Sequence, residues 1–316
     1  MHYVLPWRPQ DPCPCGSGIA LESCCLDADQ TPRIKIPSLV PPGPLTEYEH
    51  PKCYLRHTKN CCDKISNEHY ISKAILEIVG EIEIDGLPWL VPGEKAKYGI
   101  NGLASKILCK RHNSSLSPLD TLAANAFSII REACTDLSRK SLSRKKHWHL
   151  ASGTALELWA IKTLCGIFYS AIAAKDRAPL LESHALDIQR FDDALRYGLQ
   201  TDGCGLYVRI QQGVSNRHVA VSALSVETSN KVIGIRIGIY AIEFEVIFDP
   251  TNVNFDYVRQ HNFYRPWLLN LANGLRKHSV LLSWPGAAVG QSADFEMRAP
   301  SKVDIAQVER LPQRWH

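Results

Sequence analysis

Leu108-Cys109-Lys110-Arg111-His112-Asn113 brings a cysteine, a histidine and an asparagine together near the middle of a 316-residue chain. Cys53, Cys61 and the adjacent pair Glu68-His69 precede this stretch. Cysteine and histidine are the side chains that zinc prefers in proteins. The pattern therefore indicates a zinc-held module in the middle of the chain, with an acid–base pair inside it.

A second cluster of cysteines lies near the start of the chain. Cys13-Pro14-Cys15-Gly16-Ser17-Gly18 is followed by Cys24-Cys25, which places four thiols within residues 13–25. Two close cysteine pairs supply the four soft ligands of a tetrahedral zinc ion, and the two glycines permit the tight turns between them. Residues 11–26 cannot bury a core of their own, so we expect a metal to hold them. Unliganded or disulfide-bonded cysteines are the alternative.

The composition is that of a soluble globular protein, with 45% hydrophobic and 22% charged residues. A net charge of +4 excludes a general polycation, so any contact with nucleic acid must come from a local basic patch. Eleven cysteines without a visible secretory signal favour metal binding in a reducing compartment, and we expect a cytoplasmic location. Two charges, Glu157 and Lys162, interrupt the longest apolar run, which therefore predicts a buried core helix and not a membrane span.

The chain divides into four parts by composition, and the predicted fold class is α+β. Residues 1–26 form the zinc knuckle, and residues 27–52 a proline-rich linker. Residues 53–149 form the central module, in which Asp120 is expected to cap a helix through Leu137 after a turn and helix over 105–117. Residues 150–316 form a mixed α+β domain of unknown role. Its predicted helices cover 154–175 and 184–197, and its predicted strands cover 205–211, 219–227, 232–248 and 279–284.

The pair Glu68-His69 suits phosphodiester hydrolysis. That reaction needs a metal to neutralise phosphate charge, a base to deprotonate water and a scaffold to hold both. Glu68 can bind a hard cation such as magnesium through oxygen, and His69 titrates near neutrality. Because adjacent side chains on an extended strand point to opposite sides, a twist or kink is needed for both to serve one site.

The two fragments that start at Ile65 and Leu108 resemble the HNH, or ββα-metal, nuclease family over about residues 53–125. The resemblance implies that Glu68 is the metal-binding acid, His69 the general base and Asn113 the closing metal ligand. Asn101 is the candidate for the middle asparagine of the family. The structural zinc ligands implied by the resemblance are Cys53, Cys61, Cys109 and His112.

The chain departs from the HNH pattern at the first zinc pair. Its two cysteines are separated by seven residues instead of two, and a histidine replaces the last cysteine. His57 or Cys62 could take the place of Cys53 or Cys61, so the assignment of this pair is open.

The N-terminal knuckle resembles the SEC-C motif, including its Pro-Cys-Gly-Ser-Gly core at residues 14–18. This motif is known from the tail of the preprotein-translocase ATPase and as an accessory on many bacterial proteins. The family usually carries lysines between its two halves, whereas residues 19–23 here are neutral to acidic. The resemblance implies a bound metal, and it makes a protein partner of the knuckle or of the C-terminal domain a candidate.

A basic stretch lies near the end of the central module, just before the aromatic Trp148. Cations beside an aromatic suit the phosphate backbone of a nucleic acid and a stacked base. A solvated helix end or an interdomain link is the alternative. The candidate nucleic-acid-binding residues are Arg139, Lys140, Arg144, Lys145 and Lys146.

The sequence thus leads to two functional hypotheses. The first is a metal-dependent endonuclease that cleaves DNA, with about two structural zinc ions and a catalytic magnesium or manganese ion. The resemblance to small bacterial HNH proteins implies a setting in restriction, mobile elements or phage defence. The second is a non-catalytic, zinc-containing module that binds nucleic acid or protein. In neither hypothesis does the chain enter a membrane.

Overall fold

A computed structural model describes residues 5–79, 82–85, 90, 94–139, 145–173, 186–210, 216–226, 231–240, 242–285 and 291–296. The chain contains helices and mixed sheets, which confirms the predicted α+β class. In chain order the elements are α1 (Leu21–Cys24), β1 (Ile65–His69), α2 (Lys73–Val79), β2 (Ile82–Asp85), β3 (Lys95–Tyr98), β4 (Ala104–Cys109), α3 (Lys110–Ser138), β5 (Lys146–Ser152), α4 (Gly153–Ala173), α5 (Ile188–Tyr197), β6 (Gly205–Ile210), β7 (Asn216–Val226), β8 (Lys231–Tyr240), β9 (Ile242–Ile247), α6 (Phe255–His261), β10 (Phe263–Tyr264), β11 (Leu268–Asn273), β12 (Arg276–Ser283) and β13 (Ser292–Glu296).

A ββα unit forms the centre of the chain. Strand β1 runs antiparallel to β4, with Ile65 opposite Cys109 and His69 opposite Ala104. Helix α3 begins at the residue after β4 and packs on both strands. A bulge between Ser66 and Glu68 interrupts the pairing of β1 with β4. It lies directly before the pair Glu68-His69, where a twist or kink is needed for both side chains to serve one site.

Helix α3 is longer than the sequence predicts. It runs unbroken for 29 residues, so Asp120 lies inside the helix and the prediction that it is an N-cap is wrong. Pro118 cannot donate to the carbonyl of Ser114, but the hydroxyl of Ser117 donates to that oxygen at 2.9 Å. A continuous buried stripe keeps the helix intact across the proline, and it includes Leu116, Leu119, Ala123, Phe127 and Ile130.

Among the described residues, the larger sheet has seven strands in the order β10-β6-β9-β8-β7-β2-β3. The strands predicted over 205–211, 219–227 and 232–248 are confirmed as β6, β7 and the pair β8 and β9. Ile235, Ile237 and Ile239 of β8 are buried, as their period-two spacing predicts, whereas Ile233 at the start of the strand is half-buried. Strand β2 pairs in parallel with β7, so a segment inserted between β1 and β4 shares a sheet with the C-terminal part of the chain.

In the part of the chain that the structure describes, the smaller sheet has four strands in the order β13-β11-β12-β5. The knuckle packs on it, because Cys13, Leu21 and Cys25 form one apolar cluster with residues of β5, β11 and β12. Trp7 meets Trp148 edge to face, with ring centroids 6.3 Å apart. The following segment, predicted as a linker, continues along the body, where Ile34 donates its backbone N–H to Ser283.

Helix α4 crosses the interior and confirms the predicted apolar core helix. Its two charged residues, Glu157 and Lys162, are both buried, and both have partners of opposite charge. Glu157 pairs with Arg265 at 2.7 Å. Within the part of the chain that the structure describes, no helix combines the length and apolarity that crossing a bilayer requires.

Candidate metal centres and acid–base site

The four N-terminal thiols converge as the sequence predicts. The Sγ atom of Cys24 lies 3.6 Å from those of both Cys15 and Cys25. Ligand sulfurs around a tetrahedral zinc ion are about 3.8 Å apart, so the cluster fits zinc. Gly16 and Gly18 make the turn between the two halves with φ of 85° and 74°, values that other residues rarely adopt.

Local hydrogen bonds prepare this cluster for a cation. Burial raises the pKa of the Cys15 thiol, but hydrogen bonds from Ser17 and from neighbouring thiols outweigh burial and lower it to about 7. Ser17 also contacts Cys24, at 3.2 Å. One thiolate is therefore accessible near neutral pH before any metal binds.

The second cluster joins the start of the central module to the β4–α3 junction. The Nδ1 atom of His112 lies 3.5 Å from the Sγ of Cys53, 3.7 Å from that of Cys61 and 3.2 Å from that of Cys109. All four side chains are buried. Because sulfur and nitrogen ligands of tetrahedral zinc are about 3.6 Å apart, this set fits zinc as well as the first one does.

Thr58 orients the histidine of this cluster. Its hydroxyl lies 3.1 Å from Nε2 of His112 and donates to the carbonyl of Leu55 at 2.8 Å. The hydroxyl is thus the acceptor for the N–H on Nε2, which leaves the Nδ1 lone pair directed at the three sulfurs. No feature of the sequence singles out Thr58, because a threonine in a turn has many other roles.

The structure resolves the open assignment of the first zinc pair. Cys53 and Cys61 converge with Cys109 and His112, whereas neither His57 nor Cys62 belongs to the described cluster. The Sγ atom of Cys62 instead accepts the backbone N–H of Arg111 at 3.3 Å.

Glu68 and His69 follow the bulge of β1 and differ in exposure. Glu68 is buried, with only 3% of its surface exposed, and His69 is half-buried. Burial lowers the pKa of His69, and the positive charge of Lys73 adds to this effect. The neutral imidazole is therefore favoured at pH 7, which is the form that a general base requires.

Lys162 of α4 connects Glu68 to Asp120 of α3. Its Nζ lies 2.6 Å from Oε1 of Glu68, and 2.9 and 2.7 Å from the two carboxylate oxygens of Asp120. Burial raises the pKa of Glu68, and the ammonium of Lys162 opposes this effect. Burial alone would lower the pKa of Lys162, but the two carboxylates raise it above its usual value. We call Glu68, Asp120 and Lys162 the buried triad.

Close packing holds α4 against the end of β1. Gly166 lies one turn beyond Lys162, and a Cβ atom on it would come within 2.2 Å of the Cβ of Tyr70. Because only a residue without a side chain fits there, the helix approaches closely enough for Lys162 to reach Glu68.

The buried triad as found does not fit a magnesium ion at Glu68. The carboxylate faces an ammonium group and not solvent, whereas magnesium retains several waters of its own. Asn113 is half-buried in the first turn of α3 and precedes Asp120 by seven residues, about 10 Å along the helix. Asp120, and not Asn113, is therefore the residue of α3 that shares the counter-ion Lys162 with Glu68. Asn101 lies in the 3-10 helix Ile100–Leu103, and its side chain is outside the described part of the structure.

The candidate nucleic-acid-binding residues lie around the start of β5. Arg139, Lys145 and Lys146 are exposed, and Lys146 begins the strand. Lys140 and Arg144 lie outside the described residues. Because β5 pairs with β12 throughout, the end of the basic stretch belongs to a sheet and is neither a helix end nor a free link.

Asp120 and Lys162 are the site residues that sequence reasoning missed. A lysine inside an apolar helix signals a buried partner, because an unpaired charge in a core is too costly. That signal was present at Lys162, but it does not name the partner. Comparisons with family models, with curated proteins and with solved structures find no match for this chain.

Proposed function

We propose that this chain is a DNA endonuclease of the ββα-metal type with His69 as its general base. The observation that carries the proposal is the β1–β4–α3 unit, closed at one end by Cys53, Cys61, Cys109 and His112. At the other end of the strand pair stands a half-exposed histidine whose pKa is lowered.

The chemistry that His69 can perform is the activation of water. Its neutral imidazole takes a proton from a water molecule, whose oxygen then forms a new bond to phosphorus. The bond between phosphorus and the leaving oxygen of the DNA strand breaks, and the proton is returned to that oxygen or to solvent. Lys73, an exposed cation that pairs with Glu77 at 3.6 Å and whose charge acts on His69, would attract the phosphate.

The zinc clusters have a structural part in this proposal. Each has four protein ligands and no position left for a substrate, which is the arrangement of a structural site. The second cluster fixes the junction of β4 and α3 and with it the strand that carries His69. We assign no step to magnesium or manganese at Glu68, because the contact with Lys162 would first have to break.

The exposed cations near β5 support DNA as the substrate. Lys146 stands directly opposite Lys277 of β12, and Lys145 and Arg139 extend the positive surface. A cluster of this kind contacts phosphates without reading the bases, so it fixes the position of a duplex and not its sequence.

The buried triad favours a second candidate function. Its two carboxylates share the single ammonium group of Lys162, as in a structural ion network, and Glu68 is not free to bind an ion. The second candidate is a zinc-held module that binds nucleic acid or protein without cleaving it.

An assay with supercoiled plasmid separates the two candidates. The purified protein is incubated with plasmid in chelator, in magnesium and in manganese, and binding is measured in parallel by mobility shift. Nicking by wild-type protein supports the endonuclease. Retarded plasmid that stays supercoiled in all three conditions supports the binding module.

A further inference from the structure

A third group of ligand-type side chains lies where α3 ends against the smaller sheet. Asp136 stands near the end of α3, His147 and His149 on β5, and His278 on β12. His147 and His278 are directly opposite each other in the parallel pairing, with rings stacked at 4.6 Å. One ligand atom from each of Asp136, His147 and His278 lies within 4.8 Å of the others.

Hydrogen bonds orient the central imidazole of this group. The Nε2 atom of His278 lies 3.1 Å from the Asp136 carboxylate, and its Nδ1 atom lies 3.1 Å from Nε2 of His149. His278 is buried, with 2% of its surface exposed. Both of its ring nitrogens thus face named partners, which is the arrangement in which a histidine ligand is held by a second residue.

We propose that Asp136, His147 and His278 bind a divalent transition-metal ion such as zinc, with His149 as the residue that positions His278. Two imidazoles and one carboxylate are a ligand set that zinc accepts while a coordination position stays open for water. In the bound form His278 donates its Nδ1 proton to His149 and directs Nε2 at the ion beside Asp136. Two ligand atoms on one zinc ion are at most about 4.2 Å apart, so small side-chain shifts suffice to close the group.

The charges around this site set its affinity below that of the cysteine clusters. Arg276 places Nη1 3.8 Å from the Asp136 carboxylate, and Lys146 and Lys277 adjoin the two histidines along their strands. These cations repel a metal ion, and neutral imidazoles attract it less than thiolates do. The ion at this site is therefore exchangeable, whereas zinc held by the cysteines is retained.

Because the ion at this site exchanges while the cysteine-bound zinc is retained, zinc binding at this site can be measured separately. Full-length protein is dialysed against a weak chelator that leaves the cysteine-bound zinc in place, and zinc is then added in a calorimetric titration. We expect wild type to take up about one further ion per chain, and His147→Ala and Asp136→Asn to lose at least about a hundredfold in affinity. His149→Ala, which removes only the positioning contact, should lose about ten- to a hundredfold.

The matched control is His261→Ala, which removes an exposed histidine whose hydrogen bond and ring contact both go to Tyr257 of its own helix. Its zinc titration should equal that of wild type. His147 is on the edge strand of its sheet, so its replacement should preserve the fold, which circular dichroism and the retained zinc content verify. Uptake of no further ion by wild type, or equal affinity in His147→Ala, Asp136→Asn and wild type, would overturn the proposal. Asp136, His278 and His149 would then be a metal-free hydrogen-bonded chain.

Discussion

The Nζ atom of Lys162 lies 2.6 Å from Oε1 of Glu68, and both side chains are almost completely removed from solvent. The two residues come from α4 and β1, and Asp120 of α3 completes the group. Through this contact the acid that the resemblance assigns to a catalytic metal becomes part of an internal ion network. The network ties the central module to the helix that follows it.

Removal of the shared cation should destabilise the protein strongly. Lys162→Met leaves the carboxylate of Glu68 buried without its counter-charge, which costs about 3–5 kcal/mol in the free energy of unfolding. Urea denaturation of wild type and variant measures this difference. The matched control is Lys73→Met, where an exposed pair with Glu77 is lost and the expected cost is about 0.3–0.5 kcal/mol. Similar losses in the two variants would show that the buried triad is not a major support of the fold.

The second cysteine cluster should depend on Cys109 and not on Cys62. Cys109→Ser replaces a thiolate ligand by a hydroxyl, so about one of two tightly held zinc ions should be lost and the central module should unfold. Cys62→Ser changes a cysteine beside the cluster whose Sγ atom forms its hydrogen bonds with backbone groups. Elemental analysis should find the wild-type zinc content in this control. Loss of zinc from Cys62→Ser alone would mean that the ligand set is assigned wrongly.

Thr58 should affect zinc affinity without being a ligand. Thr58→Val keeps the shape of the side chain but removes the hydroxyl that accepts from His112. We expect zinc to be held about 10- to 100-fold more weakly, as measured by competition with a chelator. Replacement of the exposed Ser38, whose hydroxyl contacts only a nearby carbonyl, by alanine is the control. Wild-type affinity in Thr58→Val would exclude the orienting role.

The cysteine clusters could be predicted from the sequence because their ligands lie close together in the chain or in recognisable pairs. Strands of the larger sheet could be predicted from their period-two pattern, as in β8. The continuous α3 could not be predicted, because a proline inside a helical pattern signals a break. In the structure, the Ser117 hydroxyl donates to the Ser114 carbonyl, which Pro118 has no N–H to reach. The buried triad was also hidden, since its members are separated by 52 and 42 positions (68 to 120 and 120 to 162) and meet only through tertiary packing.

The exposed cations near β5 should set the salt dependence of DNA binding. Replacement of Arg139, Lys145 and Lys146 together by alanine should reduce the slope of log K against log salt by about one unit for each lost phosphate contact. The measurement is a fluorescence titration of a duplex at several salt concentrations. Lys35→Ala combined with Lys52→Ala removes two exposed lysines elsewhere and should leave the slope unchanged. An unchanged slope in the triple variant would remove this surface from the DNA-binding account.

The most direct test of the central claim is the rate at which His69→Ala nicks supercoiled plasmid, compared with wild type and with His261→Ala. Loss of the base should lower the rate by about 10²–10⁴-fold or more, with zinc content and the melting curve nearly unchanged. His261→Ala should cleave at the wild-type rate, because its side chain is exposed on α6. Cleavage by His69→Ala at the wild-type rate, or the absence of cleavage by wild type in chelator, magnesium and manganese alike, would contradict the assignment of this chain as an endonuclease with His69 as its base.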